Sequence, residues 1–288
     1  MQTITKEQVV RSFDATHPPV ATVKPGEVFV METNDRFETW NAAGEWPMEQ
    51  LSVMTGPVSV LGAAPGHVLA VEILDIEASQ GFGTVLAIPG FGLFKDEVEF
   101  RKKILPIEGD RIRYSDSLSL PFVPNLSKIG VAPLAGAEPS SASGAFGGQL
   151  SNRELGSGST VYLPVFAKGG LLTIEDVHAK MGDGEATASA VEMAAKVTLR
   201  CELVTNLALR RPIVVTEREV HTMGTGDTVE AAARAALDDL TQLLIDRTDA
   251  DLTEAAILTS VAADLRFSEV AGSPCHIRAA IPRDILGL

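Results

Sequence analysis

The sequence predicts a mainly β protein with a helical C-terminal part, its strands arranged as a sandwich or barrel. Two observations carry this. Short apolar or alternating runs recur between regular Gly, Pro, Asn and Asp turn signals through most of the chain. Near residue 228 the apolar period changes to that of a helix. Of the 288 residues, 45% are hydrophobic but only 5% aromatic. The core must therefore be built mostly from Val, Leu, Ile and Ala. The length allows one large domain or two intimate ones. We expect a core over residues 1–205 that carries the chemistry, and an α+β part over 206–288 packed on it.

Taken in order, Val20 to Val23 is a short apolar run closed by the Lys24-Pro25-Gly26 turn. Glu27 to Thr33 is the next strand candidate, ended by Asn34-Asp35. The polar stretch from Asp35 to Pro47 carries both tryptophans, Trp40 and Trp46, and reads as a loop over a site or a surface excursion. Val58 to Leu61 follows the Thr55-Gly56-Pro57 turn. Val68 to Ile76 then alternates as a sheet strand does. Residues 77–135 are punctuated by Gly and Pro, with Phe91 between Gly90 and Gly92 and a charged, solvated stretch from Asp96 to Lys103. Residues 136–160 are small and polar. They lack the Gly-Lys-Ser/Thr ending of a phosphate loop and the G-x-S-x-G elbow of a serine hydrolase.

Val161 to Phe166, the Gly169-Gly170 turn and Leu171 to Ile174 read as strand, tight turn, strand. Val197 to Val204 and Pro212 to Thr216 are further strands. Val229, Ala233, Ala236, Leu237, Leu240 and Leu244 recur at helical spacing, so a helix is expected over 228–246, opened by a capping box on Asp227-Thr228-Val229-Glu230. A second helix is expected from Leu252 to Ala263, capped by Asp251 or Thr253 and ended by Asp264 and Arg266. Cys275 to Pro282 reads as the last strand. His17, His67, His221 and His276 are expected to be structural or exposed.

Charge removes one class of function. The net charge is −14 and the isoelectric point about 4.8, with no basic stripe of the kind a nucleic-acid surface needs. The start lacks the apolar core of a signal peptide, and no apolar run is long enough to cross a bilayer. Cys201 and Cys275 are isolated, which argues against a disulfide framework. A cytoplasmic protein with no membrane partner is expected.

The densest chemistry lies in Asp176-Val177-His178-Ala179-Lys180-Met181-Gly182-Asp183-Gly184-Glu185, read as a polar loop at a strand's end. Asp176 and His178 stand at i and i+2, which places them on one face of an extended backbone. Asp183 and Glu185 repeat the relation. If the two pairs converge they suit a divalent metal with oxygen and nitrogen ligands, or a general base whose imidazole a carboxylate orients. An acidic surface loop fits the same spacing.

Nearly the whole chain resembles the acetamidase/formamidase family. The residues that carry this are Pro19-Val20-Ala21-Thr22-Val23-Lys24-Pro25-Gly26, Glu32-Thr33-Asn34-Asp35 and Thr55-Gly56-Pro57-Val58. Further on come Val71-Glu72-Ile73-Leu74-Asp75-Ile76, Ile88-Pro89-Gly90-Phe91-Gly92, Ile129-Gly130-Val131-Ala132-Pro133, Leu163-Pro164-Val165 and the Asp176–Glu185 stretch. The resemblance implies a β-sandwich or barrel of that type with a helical C-terminal part, a homodimer or higher oligomer, and hydrolysis of a small amide to carboxylate and ammonia. It implies that Asp176, His178, Asp183 and Glu185 are catalytic, and that Asp176, His178 and Glu185 hold a divalent metal, Zn or Ca, with no organic cofactor. Gly147, Gly148, Gln149 and Ser151 are the expected substrate contacts, the two glycines as oxyanion donors. Ser151 stands where the family commonly has an acid. A hydroxyl cannot replace a carboxylate as a charge or base. A catalytically silent member that binds a small ligand or serves as a structural oligomer is therefore the alternative.

Overall fold

The computed structural model describes residues 1–37, 53–187, 189–272 and 274–287. Trp40, Trp46 and the stretch around them lie outside these residues. Among the described residues two large sheets dominate. One runs in the order Gln2–Ile4, Val28–Thr33, Ala195–Val204, Val68–Ala78, Thr160–Pro164, Ile213–Val215, Glu219–Gly226, Cys275–Pro282, Asp264–Glu269. The other is centred on Leu172–Lys180, which pairs with Asn125–Gly130, with Val191–Glu192 and with Met54–Val60. One buried cluster draws Val71, Leu163 and Val197 from the first sheet and Leu105, Leu126 and Ile174 from the second. The two sheets thus share a core of aliphatic side chains. Burial of that apolar surface is the main favourable term in folding.

The helical part follows the sequence pattern. The helix Val229–Arg247 buries Ala232, Ala236, Leu240, Leu243 and Leu244, spaced so that they form one stripe. Its N-cap is Thr228, whose hydroxyl accepts from the Ala231 amide, so the expected box on Asp227 does not form. The box occurs on the next helix, Leu252–Ala262, where Asp251 accepts from the Thr253 and Glu254 amides and Glu254 bonds back to the Asp251 amide. These helices and the adjoining strands bury their own cluster, including Ile213, Val220, Ala279 and Ile281. The strands of residues 213–282 nevertheless continue the first sheet through the pairing of Ile213–Val215 with Thr160–Pro164.

Several elements depart from the sequence reading. Asp264 and Arg266 do not merely end a helix; they begin the edge strand Asp264–Glu269. The charged stretch from Asp96 to Lys103 is exposed at Asp96, Glu97 and Glu99 as expected, but its last three residues open the strand Arg101–Glu108. Asp176 to Lys180 is no loop but the second half of Leu172–Lys180, in which every residue except Lys180 is buried. The loop begins only at Met181. A strand buried on both faces is normally an apolar run, so Glu175, Asp176 and His178 in this one need partners.

Candidate active site

Those partners come from five directions. Glu192 lies directly across the ladder from His178, and Lys128 directly across from Glu175. Cross-strand neighbours on one face are the closest side-chain contacts a sheet offers. Lys128 Nζ donates to Glu175. Arg36 reaches in from the turn after the Val28–Thr33 strand, with Nη1 2.9 Å from Asp176 Oδ1 and Nε 3.6 Å from Glu175 Oε1. That turn is fixed by Asp35, which accepts from the Phe37 amide at 2.9 Å and from Thr84 Oγ1 at 2.7 Å. Gln149 Nε2 donates to Asp176 Oδ2 at 2.8 Å. Glu185 arrives from the loop.

The centre of the cluster is His178 Nε2, 3.2 Å from Asp176 Oδ1 and 3.3 Å from Glu192 Oε2. All three residues are at least 98% buried. Asp176 holds a φ of +67°, in the left-handed region that costs a non-glycine residue about 1–2 kcal/mol. Its contacts to Arg36, Gln149 and His178 hold it there. Glu185 and Ser151 are also left-handed, at +36° and +48°. Strain of this kind collects at functional sites.

The electrostatics follow from the count of charges. Four acids, Glu175, Asp176, Glu185 and Glu192, face two basic side chains, Arg36 and Lys128. Protons or a divalent cation must neutralise the excess. Burial pushes the Glu192 carboxyl up to about 7, opposed by His178. Burial likewise raises Glu185 well above the usual carboxylate range, reinforced by Glu269, Glu192 and Asp176. For Asp176 burial acts upward but Arg36 and His178 prevail, holding it well below that range. For His178 burial acts downward, and Glu192 and Asp176 overcome it to hold the imidazole well above its ordinary value.

The donor set fits a divalent metal. One imidazole nitrogen and two carboxylate oxygens lie within 4.8 Å of one another. Ligands roughly 2.0–2.1 Å from a tetrahedral zinc stand about 3.3 Å apart, close to the 3.2 and 3.3 Å seen here. Glu185 Oε2 and His178 Nδ1 are buried without a hydrogen-bond partner, and Glu192 Oε2 has only the 3.3 Å approach of His178 Nε2. Buried polar atoms are rarely left so.

The expected residues separate into those the structure brings together and those it does not. Asp176 and His178 meet as their spacing implies. Glu192 takes the third place among the ligand atoms, where Glu185 was expected. Asp183 is tied elsewhere: its Oδ1 accepts from Arg278 Nη2 at 2.7 Å and lies 3.2 Å from Arg153 Nε. Those two arginine contacts tie down the loop that carries it. Gly147 and Gly148 lie in a strand paired on both edges, with Asn125–Gly130 and with Ser143–Gly144. This is not the open pair of donors an oxyanion hole needs. At φ values of +98° and +92°, a Cβ on them would stand 2.4 Å from Ile129 O and 2.1 Å from Ala142 O. Gly148→Ala should therefore destabilise the fold by roughly 2–3 kcal/mol, read as a lower midpoint in urea unfolding. Glu192, Arg36 and Glu269 carried no expectation. An acid inside the apolar run Val191-Glu192-Met193-Ala194-Ala195 was the available signal for the first.

Comparison with known proteins places the fold. The chain matches an acetamidase from Bacillus halodurans at 32% identity, covering 99% of this chain and all of that one, with a TM-score of 0.94. A predicted acetamidase/formamidase from Thermoanaerobacter tengcongensis superposes with a TM-score of 0.95 at 30% identity, covering 99% of this chain and 97% of that one. A formamidase from Methylophilus methylotrophus is 27% identical over 251 residues, 65% of this chain and 62% of the relative. The chain thus spans about three fifths of the length of the curated relatives it matches. A model described as the Acetamidase/Formamidase family matches residues 2–143 and 141–287, nearly the whole chain, and the chain therefore belongs to the acetamidase/formamidase family.

Proposed function

We propose that the protein hydrolyses a small amide to carboxylate and ammonia at the Asp176–His178–Glu192 cluster. The observation that carries this is a buried carboxylate oxygen without a hydrogen-bond partner, Glu185 Oε2, beside three metal-competent side chains. Asp176 Oδ1, His178 Nε2 and Glu192 Oε2 would hold a divalent ion, most simply zinc. When bound, such an ion polarises a carbonyl and acidifies water. Everything else is done by the chain. Glu185, whose carboxyl burial raises well above the usual carboxylate range and so makes a stronger base when ionised, takes a proton from the attacking water. The new C–O bond forms, Glu185 passes the proton to the amide nitrogen, and the C–N bond breaks to release ammonia. Arg36 and Gln149 hold Asp176 in place, while the loop tie between Asp183 and Arg278 holds Glu185.

The relatives' printed names support formamide- or acetamide-like substrates. The silent alternative rested on the missing acid at Ser151. It loses that ground because Ser151 Oγ donates to the Glu269 carboxylate at 2.6 Å. The expected homo-oligomer has support in apolar side chains at the surface, among them Leu252, Ile257 and Val261 of one helix. Among the described residues no helix is long and apolar enough to cross a membrane. The test of function is ammonia release from formamide and acetamide by purified protein with and without added zinc. Release that depends on zinc supports the reading; none from either amide under any metal removes it.

The titrations give a signed prediction. Zinc must displace protons from His178 and from Glu192, whose carboxyl titrates at about 7. Zinc affinity should therefore rise with pH between about 6 and 8. Without metal the linkage runs the other way. Glu192 binds a proton more tightly folded than unfolded, so its contribution to stability is lost as pH rises from about 4.5 to 7. Thermal midpoints of the chelator-treated protein should fall over that range, and zinc should reverse the fall. A flat profile with and without zinc would contradict this.

A further inference from the structure

We propose that Glu269, on the edge strand of the other sheet, is a positioning residue for Asp176, acting through Ser151 and Gln149. The inference rests on the amidase reading above and assigns a further residue to the same site. Glu269 Oε2 accepts from Ser151 Oγ at 2.6 Å, Gln149 Nε2 donates to Ser151 Oγ at 3.0 Å, and the same nitrogen donates to Asp176 Oδ2 at 2.8 Å. A carboxylate can only accept, and a serine has one proton. With that proton committed to Glu269, Ser151 can only accept from its other neighbours. The edge of Gln149 that faces Ser151 and Asp176 must then be its NH2 group, not its carbonyl. Acceptor carboxylates thus stand at both ends, Glu269 and Asp176, the bonds between them run in one direction, and the far end is a neutral donor on Asp176 Oδ2. That leaves Oδ1 free to face His178 and Arg36.

Two features show that this chain is built in. Ser151 is fully buried and left-handed, a backbone state few serines adopt. Glu269 is also tied to the loop that carries Glu185. It forms a parallel bridge with Gly184, and the Val270 amide donates to Gly184 O at 2.9 Å. One edge strand therefore fixes both a metal-competent carboxylate and the neighbouring base. Nothing in the spacing from 151 to 269 hints at this, because the link runs between sheets.

The test uses the full chain and three variants: Glu269→Ala, Ser151→Asp, and the two combined. Three quantities are read: zinc affinity by competition with a chromophoric chelator, ammonia release from formamide, and solvent exchange of the Gln149 side-chain amide protons by NMR. Glu269→Ala should weaken zinc binding and lower kcat/KM about 10- to 100-fold, as loss of a ligand's supporting hydrogen bond does, and should speed the Gln149 exchange. Ser151→Asp alone sets two carboxylates against each other and should also lose activity. The combined variant returns one acceptor carboxylate to Gln149, so zinc affinity and kcat/KM should recover to within a few fold of the parent. Unchanged Gln149 exchange and zinc affinity in Glu269→Ala would overturn the proposal, as would loss without rescue in the combined variant when its thermal midpoint matches the parent. If the parent neither binds zinc nor releases ammonia, the amidase reading fails by itself, and the Gln149 exchange still judges the chain of bonds.

Discussion

Glu192→Gln should abolish amide hydrolysis and zinc binding while leaving the fold intact. The side chain is nearly isosteric, but it removes one of the two carboxylate oxygens that stand beside His178 Nε2 in the proposed ligand set. Loss of a ligand must cost more than the roughly 10–100-fold that follows loss of a ligand's hydrogen-bond partner. Stability should move the other way. At pH 8 the parent carries a buried carboxylate that titrates at about 7, whose ionisation burial disfavours. The metal-free variant, neutral at that position, should melt at or above the metal-free parent. An inactive protein at least as stable as its parent is the pattern expected of a functional, strained site. A variant that binds zinc as tightly as the parent would remove Glu192 from the ligand set.

Glu185→Gln should separate chemistry from metal binding. Glu185 lies outside the three ligand atoms, yet its Oε2 is buried and without a partner. As the proton carrier it should be worth about 10²–10⁴ in kcat. The variant should keep zinc affinity within a few fold and lose turnover by that factor. Equal losses in both would make Glu185 a ligand, as its place in the motif suggested. A rate unchanged within threefold would leave the base unassigned.

These two residues show what local sequence could reveal. Asp176 and His178 are legible because they are i and i+2 on one strand, and geometry along a strand is fixed by the pleat. The helix over 229–247 is legible for the same reason, since its period is local. Glu192 is fourteen residues beyond His178 and meets it only through antiparallel register. Arg36 and Glu269 arrive from other strands altogether. The polarity of Asp176–Lys180 reads as a loop because charged residues are rarely buried. Here Arg36 and Lys128 make burial possible, and neither cation is marked by its neighbours in the chain.

Asp183 is the complementary case. Its place between Gly182 and Gly184, two residues before Glu185, favours a catalytic role, yet Arg278 and Arg153 hold it at the rim. Arg278 is fully buried, and it also donates to Phe267 O at 2.9 Å. On the proposed reading the motif is one half chemistry and one half fastening. A reading from spacing alone cannot divide the two, because both uses want an acid on a tight turn.

The most direct measurement is a zinc titration of metal-stripped protein with ammonia release from formamide as the readout. Activity should rise with added zinc and level off at one ion per chain, and neither His178→Ala nor Glu192→Gln should show that rise. Full turnover in the stripped parent, or the same one-ion plateau in both variants, would contradict a metal-assisted amidase built on Asp176, His178 and Glu192.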